Sequence, residues 1–109
     1  MAQYAAGDIV LLRVPFFDTP NPKRRPAMVI LDTGGDDIVV ARVTGQLSNT
    51  PQDVTLEEWH VAGLLVPSVV RLHTVATLPR KIVDRKLGRL TPSDWSLVVL
   101  TLRQVCRNL

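Results

Sequence analysis

The chain is poor in cysteine and lacks any long apolar run. Cys106 is the only cysteine among the 109 residues, so no disulfide can form within the chain, and we expect a reducing compartment. No window approaches the roughly 20 apolar residues that a membrane-spanning helix needs. The start of the chain does not form a signal-peptide core, because its apolar stretch is short and is interrupted by Asp8 and Arg13. We therefore expect a cytoplasmic protein with no membrane partner.

Metal-ligating side chains are few and scattered. His60, His73 and Cys106 lack the paired spacing of a zinc site, so we expect no structural metal and no other cofactor. The pair Gly34-Gly35 lacks the spacing of a P-loop, and no helix pattern comes after it. This segment therefore favours a turn over a phosphate-binding loop.

The composition is that of one folded domain with a basic surface. Apolar residues make up 46% and charged residues 21% of the chain, as in ordinary globular proteins. The length suits a single domain with one modest core. The net charge of +3 suits a polyanionic partner such as a nucleic acid without requiring one.

Alternating apolar residues predict a domain that is mainly β. Strand patterns cover residues 8–17, 26–32, 37–44, 53–56 and 68–72. Residues 73–78 either continue the last of these strands or return along it, and residues 80–90 are ambiguous between a turn and one more strand. Residues 33–36 predict a hairpin turn, and residues 57–64 predict a helical turn or two that closes near Gly63. Five or six short strands with one terminal helix indicate a small twisted or barrel-like sheet.

The helix is predicted at the end of the chain. Thr91 precedes Pro92, which suits the first helical position, and Asp94 completes a variant of the capping box. Apolar residues then recur at helical spacing: Trp95, Val98, Val99, Leu102 and Cys106. We expect an amphipathic helix packed on the sheet.

Four further side chains have ordinary structural interpretations. Trp59 and Trp95 are expected to anchor the core or an interface rather than to stack on bases. His60 is expected to be an exposed helix histidine. Cys106, on the apolar face of the helix, is expected to pack inertly.

Two polar residues mark the ends of neighbouring predicted strands. Arg25 comes after Lys23 and Arg24 and opens the second strand, while Thr44 closes the third strand. Because the two strands pair across a hairpin, Arg25 and Thr44 should lie at the same open end. A guanidinium fixed at a strand entrance can address a phosphate in one place. Alternatively, Arg25 pairs with Asp18 or Asp32, and Thr44 is an ordinary strand-end threonine.

A second pair of polar residues leaves the strand that begins near Ser68. Arg71 and His73 are two residues apart, so regular alternation would place them on one face. Their alternative interpretations are a surface cation and a solvated histidine.

Taken in order, these motifs resemble the MazF/PemK toxins of toxin–antitoxin systems. The resemblance rests on GDIV at 7–10, KRRPAMV at 23–29, VTGQ at 43–46, AGLLVPSVVR at 62–71 and KLGRL at 86–90. It extends from about residue 7 to the terminal helix. It implies an α+β, mainly β fold: a small SH3-like barrel of the CcdB/PemK-like type with a C-terminal amphipathic helix, in a homodimer.

The resemblance also implies an activity and a site. The activity is metal-independent, sequence-selective cleavage of single-stranded RNA of the mRNA-interferase type, and the partner is an antitoxin with an acidic disordered tail. The paired catalytic arginine and threonine of the family fall on Arg25 and Thr44. Some relatives also use an arginine and an aspartate, which fall on Arg71 and His73. The expected RNA-binding residues are Lys23, Arg24, Gln46, Ser68 and Arg71.

The chemistry of the residues is compatible with this activity. Metal-free cleavage uses the ribose 2′-hydroxyl as nucleophile and requires stabilisation of a phosphorane and two proton transfers. Arg25 suits the stabilising role, Thr44 can donate a hydrogen bond, and His73 is of the residue type that titrates near neutrality. A non-catalytic, CcdB-like topoisomerase poison and a small-barrel interaction module remain alternatives, because the fold alone does not choose.

Overall fold

The computed structural model describes residues 3–13, 24–47 and 50–107. These ranges contain six strands and one helix: β1 (Asp8–Leu12), β2 (Arg25–Asp32), β3 (Asp37–Thr44), β4 (Asp53–Thr55), β5 (Val69–Pro79), β6 (Val83–Arg89) and α1 (Pro92–Arg107). A single 3-10 turn, Arg80–Ile82, joins β5 to β6.

All six strands belong to one antiparallel sheet in the order β4-β5-β3-β2-β1-β6. The predicted class, mainly β with one C-terminal helix, is confirmed. The sheet is open, because β4 and β6 end the order and no hydrogen-bonded ladder joins them within the described ranges. A barrel-like sheet was expected, and the observed sheet approaches that shape without closing.

The limits of several strands agree closely with the sequence patterns. β3 has the predicted bounds, β2 begins one residue earlier, at Arg25, and the ambiguous segment 80–90 forms the 3-10 turn and then β6. β1 ends at Leu12, and most of its predicted continuation to residue 17 lies outside the described residues.

The predicted hairpin turn between β2 and β3 is present. The hydroxyl of Thr33 donates to the carbonyl of Asp37 at 2.6 Å, and the N–H of Gly34 donates to a carboxylate oxygen of Asp32 at 2.8 Å. Gly34 has a φ of +81°, which glycine adopts without steric cost. A register shift between Val29 and Leu31 separates this closed end from the pairs that lead to the opposite, open end.

The sheet is buried on both faces. Consecutive residues of β2 alternate between two apolar clusters, with Met28 in one and Ala27 and Val29 in the other, as the two-residue period of a strand requires. The first cluster also contains Val98 of α1 and Ala62 of the loop before β5. The helix therefore covers one face.

The second cluster shows how the sheet curves. Leu78 of β5 and Val83 of β6 belong to it together with Val10 and Val40, although β5 and β6 are separated by three strands in the sheet order. The sheet curls so that strands distant in this order enclose the same apolar side chains.

The loop before β5 contains the predicted helical turn. The N–H of Leu64 donates to the carbonyl of Trp59 at 3.1 Å, and that of Gly63 to His60 at 3.2 Å. These bonds, with Gly63 at a φ of +91°, are those of a Schellman motif. A Cβ on Gly63 would also lie 2.3 Å from the carbonyl oxygen of Leu87 on β6, so the glycine lets this loop rest directly on the sheet.

The side chains given structural interpretations behave as expected with one exception. Trp59 and Trp95 are partly buried against the first apolar cluster, and His60 is exposed. Cys106, expected to pack inertly on the apolar face of the helix, is exposed instead. Leu102 is the last residue of α1 that packs against the core cluster, and Cys106 lies one turn beyond it.

A buried ion pair ties the hairpin turn to the 3-10 turn. Both side chains of the Arg80–Asp32 pair are 9% exposed, and Arg80 also donates to the carbonyl of Gly35 at 2.9 and 3.0 Å. The N–H of Tyr4 donates to Asp32 at 2.8 Å. The hydrogen bonds from Arg80, and after it those from Tyr4 and Gly34, hold the pKa of Asp32 well below its ordinary value, and the same pairing raises the pKa of Arg80.

Candidate functional site

A cleft of about 410 Å³ opens at the end of the β2–β3 hairpin that lies away from its turn. Its walls come from the start of β2, the end of β3, the loop at residues 63–68 and the middle of β6. Strands that are distant in sequence thus meet around one cavity.

Arg25 and Thr44 both line this cleft. Ala27 pairs with Arg42, and Met28 pairs with Ala41. Continued by two residues, that register sets Arg25 opposite Thr44. The expected placement of these two residues at one open end of the hairpin is therefore what the structure has.

The side chain of Arg25 is half-buried. Its Nε atom is buried and has no hydrogen-bond partner within the described residues. The alternative that Arg25 pairs with Asp32 is wrong, because Asp32 is bound by Arg80 at the other end of the hairpin. Asp18 lies outside the described residues. A buried donor without a partner is a group that a bound ligand can satisfy.

The hydroxyl of Thr44 is oriented by the next residues of the chain. Its oxygen accepts a hydrogen bond from the N–H of Gln46 at 3.1 Å. A hydroxyl that accepts such a bond keeps its own proton to donate. Gln46 itself is exposed and does not line the cleft, so its observed contribution is this backbone contact.

The cleft is strongly cationic. Its fifteen lining residues include four arginines and no aspartate or glutamate. Two of the arginines, Arg24 and Arg25, were expected from the sequence, and two, Arg42 and Arg85, were not. Arg42 was recognisable as the one charged residue inside the apolar run of β3, at an even spacing from Thr44. The sequence did not single out Arg85, because residues 80–90 were ambiguous between a turn and one more strand.

The predicted RNA-binding residues Lys23, Arg24 and Ser68 differ in their placement. Arg24 lines the cleft and contacts a carboxylate oxygen of Asp84 at 3.6 Å. Lys23 lies outside the described residues. Ser68 lines the cleft but is 2% exposed, and its hydroxyl donates to the carbonyl of Val66 at 2.8 Å. Ser68 therefore shapes the 63–68 wall through a local hydrogen bond.

Arg71 and His73 do not line the cleft. Arg71 lies between Arg42 of β3 and Asp53 of β4 in the sheet register. His73 is exposed, within an irregularity where residues 72–74 of β5 face the single step from Ala41 to Arg42. Val70 and Leu72 both lie in the first apolar cluster, and Arg71 and His73 are less buried than either, as expected if Arg71 and His73 share the other face.

The start of α1 holds the loop that leads into the cleft wall. Asp94 is fully buried, and its two carboxylate oxygens accept the backbone N–H groups of Glu57 and Glu58, each at 3.0 Å. Thr91 caps the N–H of Asp94 at 3.4 Å, which is the predicted half of the capping box. The other half is not formed among the described residues, because the carboxylate of Asp94 is engaged by the loop.

Glu58 of the loop forms a second hydrogen bond with the start of the helix. Its carboxylate accepts a hydrogen bond from the hydroxyl of Ser93 at 3.0 Å. The hydroxyls of Thr91 and Ser93 keep the pKa of Glu58 below its ordinary value. Loop and helix end are thus joined by hydrogen bonds in both directions.

Membrane spans and metal clusters are absent from the part of the chain that the structure describes. No helix there is long and apolar enough to cross a membrane. No three histidine, cysteine, aspartate or glutamate side chains of those ranges lie close enough to share a metal ion.

Solved structures of several toxins share this fold. An endoribonuclease in complex with its cognate antitoxin from mycobacterial species is 16% identical, with a TM-score of 0.73 over 94% of this chain and 93% of that chain. The Mycobacterium tuberculosis toxin MazF-mt6 is 21% identical, with a TM-score of 0.70 over 86% and 90%. A MazF from Deinococcus radiodurans is 24% identical, with a TM-score of 0.69 over 93% and 94%.

Sequence comparison extends this from the fold to the family. No curated protein sequence matches the chain. A family model described as the PemK-like, MazF-like toxin of type II toxin–antitoxin systems matches residues 5–106. Because that match spans nearly the whole chain and agrees with the fold, the protein belongs to the PemK-like, MazF-like family of type II toxins.

Proposed function

We propose that this protein is the endoribonuclease toxin of a toxin–antitoxin system and that it cleaves single-stranded messenger RNA at selected sequences without a metal ion. Toxins of this family are endoribonucleases. The observation that carries the proposal is the placement of Arg25 opposite Thr44 in a cleft with four arginines and no acidic lining residue. Such a cleft attracts a phosphodiester and gives it donors of fixed position.

The proposed reaction is an internal transesterification. The ribose 2′-oxygen attacks the adjacent phosphorus and loses its proton to a base, which forms a pentacoordinate phosphorane. The bond from phosphorus to the 5′-oxygen then breaks, and that oxygen receives a proton. The products are a 2′,3′-cyclic phosphate, which can open to a 3′-phosphate, and a 5′-hydroxyl.

Arg25 is proposed to stabilise the phosphorane. Charge accumulates on the non-bridging oxygens as the bond to the 2′-oxygen forms, and a preorganised guanidinium is most effective where it is shielded from water. The buried Nε of Arg25 meets that condition. Arginine stays protonated at physiological pH, so this role needs no change of its charge.

Thr44 is proposed to donate a hydrogen bond from its hydroxyl to a non-bridging oxygen. The hydrogen bond from Gln46 to the threonine oxygen orients the hydroxyl without using its proton. Because a hydroxyl is too weak an acid to move protons unaided, Thr44 is proposed to position the phosphate and is assigned no proton-transfer step.

Proton transfer is the part of the mechanism that the cleft residues of a single protomer do not furnish. The sequence suggests His73 for this role, and His73 lies outside the cleft. We retain His73 as a hypothesis that a pH–rate profile tests directly, and we assign no distance or path to it.

The remaining polar residues are proposed to bind the RNA around the scissile phosphate. Arg24 does so from within the cleft, and Arg71 from the neighbouring strand of the sheet. Lys23 and Gln46 are proposed to contact the RNA where it enters the cleft. For Ser68, whose hydroxyl is already engaged, the proposed contribution is the shape of the cleft wall.

We further propose a homodimer that acts in the cytoplasm and is silenced by an antitoxin with an acidic, disordered tail. A tail that folds on the cationic cleft would exclude RNA and bind less tightly as salt rises. Light scattering tests the dimer. An antitoxin that neutralises the Arg25→Ala, Arg71→Ala double variant with undiminished affinity would place inhibition elsewhere.

The function as a whole is tested with a single-stranded RNA of mixed sequence and with the same RNA annealed to its complement. Cleavage of the single strand and resistance of the duplex are expected. Inhibition of a topoisomerase in a DNA supercoiling assay, without RNA cleavage, would instead support a CcdB-like poison, which the family assignment and the cleft do not favour.

A further inference from the structure

We propose that Arg42 and Arg85 bind the phosphates that flank the scissile one. This inference rests on the proposed ribonuclease function and adds two phosphate contacts to its site. Both arginines line the same cleft as Arg25 and Thr44.

The sheet register sets the spacing of these cations. Arg42 precedes Thr44 by two residues on β3, which is about 7 Å along a strand and on the same face. Arg85 pairs with Leu11, and Leu11 pairs with Pro26, so Arg85 lies two strands from the start of β2, or about 10 Å away. By strand alternation Arg85 shares a face with Leu11 and Pro26, and Arg42 shares the other face with Ala27. The two arginines therefore reach the cleft from different sides of the sheet.

Neither arginine is neutralised by the described part of the protein. Most of the other cations near the sheet face carboxylates: Arg24 contacts Asp84, Arg80 binds Asp32, and Lys86 and Arg89 contact Asp8. Within the described ranges, Arg42 and Arg85 have neither an ion pair nor a hydrogen bond from the side chain. Surface cations on a folded domain commonly acquire carboxylate neighbours, so two uncompensated arginines in one cleft indicate an external anion.

The apolar wall of the cleft suits the bases and sugars of a nucleic-acid strand. Leu65 is 93% exposed and Val66 is 53% exposed, and both line the cleft beside Leu64. An apolar wall facing a cationic floor can accept the bases and sugars of a strand whose phosphates lie on the arginines. An acidic peptide would satisfy the arginines equally well, so the test must separate the two.

The experiment measures binding of a mixed-sequence 2′-O-methyl RNA of about 20 nucleotides, which cannot be cleaved because its 2′-oxygen is blocked. Affinity is measured by fluorescence anisotropy across a salt series. The slope of log K against log salt should fall in magnitude by about 0.7 for each phosphate that is no longer neutralised by a cation. We expect that change, with a severalfold loss of affinity, in Arg42→Gln and in Arg85→Gln.

Matched variants keep the test decisive. Arg103→Gln removes the same charge from an exposed site on α1 and should leave the slope as in the wild type. Arg42→Lys keeps the charge of the half-buried position and should also keep the slope. Arg85 is exposed, so folding of its variant is not at risk.

A wild-type slope in both glutamine variants would overturn the inference. So would variants that keep the RNA slope and lose only the competition by polyglutamate, since that result would assign the arginines to an acidic peptide. Because the probe is not a substrate, this inference can fail while RNA cleavage is observed, and it can hold even if cleavage is absent.

Discussion

Arg25 is the first residue of β2 and Thr44 the last of β3, and both line one cleft at the open end of the β2–β3 hairpin, where the register of Ala27 with Arg42 leads to them. The closed end of the same hairpin is held by the Arg80–Asp32 pair. The relative position of guanidinium and hydroxyl is thus set by strand register, which a one-residue slip would destroy.

Replacing Arg25 should nearly abolish RNA cleavage. Arg25→Ala removes a preorganised donor to the developing charge, and the rate should fall on the order of a hundredfold to a thousandfold. Arg25→Lys should recover little, because an ammonium is a point charge without the planar fork of arginine. The measurement is single-turnover cleavage, with Arg103→Ala as the control for charge loss. Undiminished cleavage by Arg25→Ala would remove this residue from the site.

Thr44 should depend on its hydroxyl and not on its shape. Thr44→Val keeps the branched side chain but loses both the proton donor and the acceptor for the N–H of Gln46. Cleavage should fall by roughly tenfold to a hundredfold, as for a lost neutral hydrogen bond in a transition state. Thr44→Ser should retain most of the rate. Equal rates for the valine and serine variants would show that the hydroxyl is not used.

His73 is tested by the shape of the pH–rate profile. If it transfers a proton, the wild-type profile should contain an ionisation that the His73→Ala profile lacks, while affinity for uncleavable RNA stays within about twofold. His73→Asp should retain part of the rate, because a carboxylate can also accept and return a proton. Superimposable profiles for wild type and His73→Ala would exclude the role and assign proton transfer to another group.

The Asp32–Arg80 pair should make folding sensitive to acid. Folding lowers the pKa of Asp32 below its ordinary value of 3.8, chiefly through the hydrogen bond from Arg80. As pH falls, Asp32 therefore takes up a proton in the unfolded chain before it does so in the folded protein. The stabilisation is fully present above the unfolded value and is lost as pH falls below it towards the lower folded value.

Urea titrations at several pH values measure this dependence. The difference in unfolding free energy between wild type and Asp32→Asn should be constant near neutral pH and should shrink below about pH 4. Asp37→Asn, an exposed change at the start of β3, serves as the control. A difference that persists unchanged to low pH would show that Asp32 stabilises the fold by packing rather than by charge.

Much of the fold was predictable because several strands pair with strands that are adjacent in the sequence. The alternation in residues 37–44 and the turn at 33–36 define one hairpin, and a hairpin by itself brings Arg25 and Thr44 together. The Schellman turn at Gly63 was likewise visible as a short helical segment that ends in glycine.

The features that sequence reasoning missed depend on distant contacts. Arg85 reaches the cleft only because β6 pairs with β1, more than 70 residues earlier in the chain. Asp94 fits a capping box locally, but a loop 36 residues away recruits its carboxylate. Cys106 continues an apolar periodicity beyond Leu102, the last residue of α1 that packs against the core cluster. Local patterns carry no record of these partners.

The central claim is that a cationic cleft organised by Arg25 and Thr44 cleaves RNA through the 2′-hydroxyl without a metal ion. The most direct test incubates the purified protein with single-stranded RNA in excess EDTA and identifies the ends of the products by mass spectrometry. We predict cleavage that EDTA does not slow, with a 2′,3′-cyclic phosphate or 3′-phosphate and a 5′-hydroxyl. Cleavage that requires added magnesium, or that leaves 5′-phosphates, would contradict this claim.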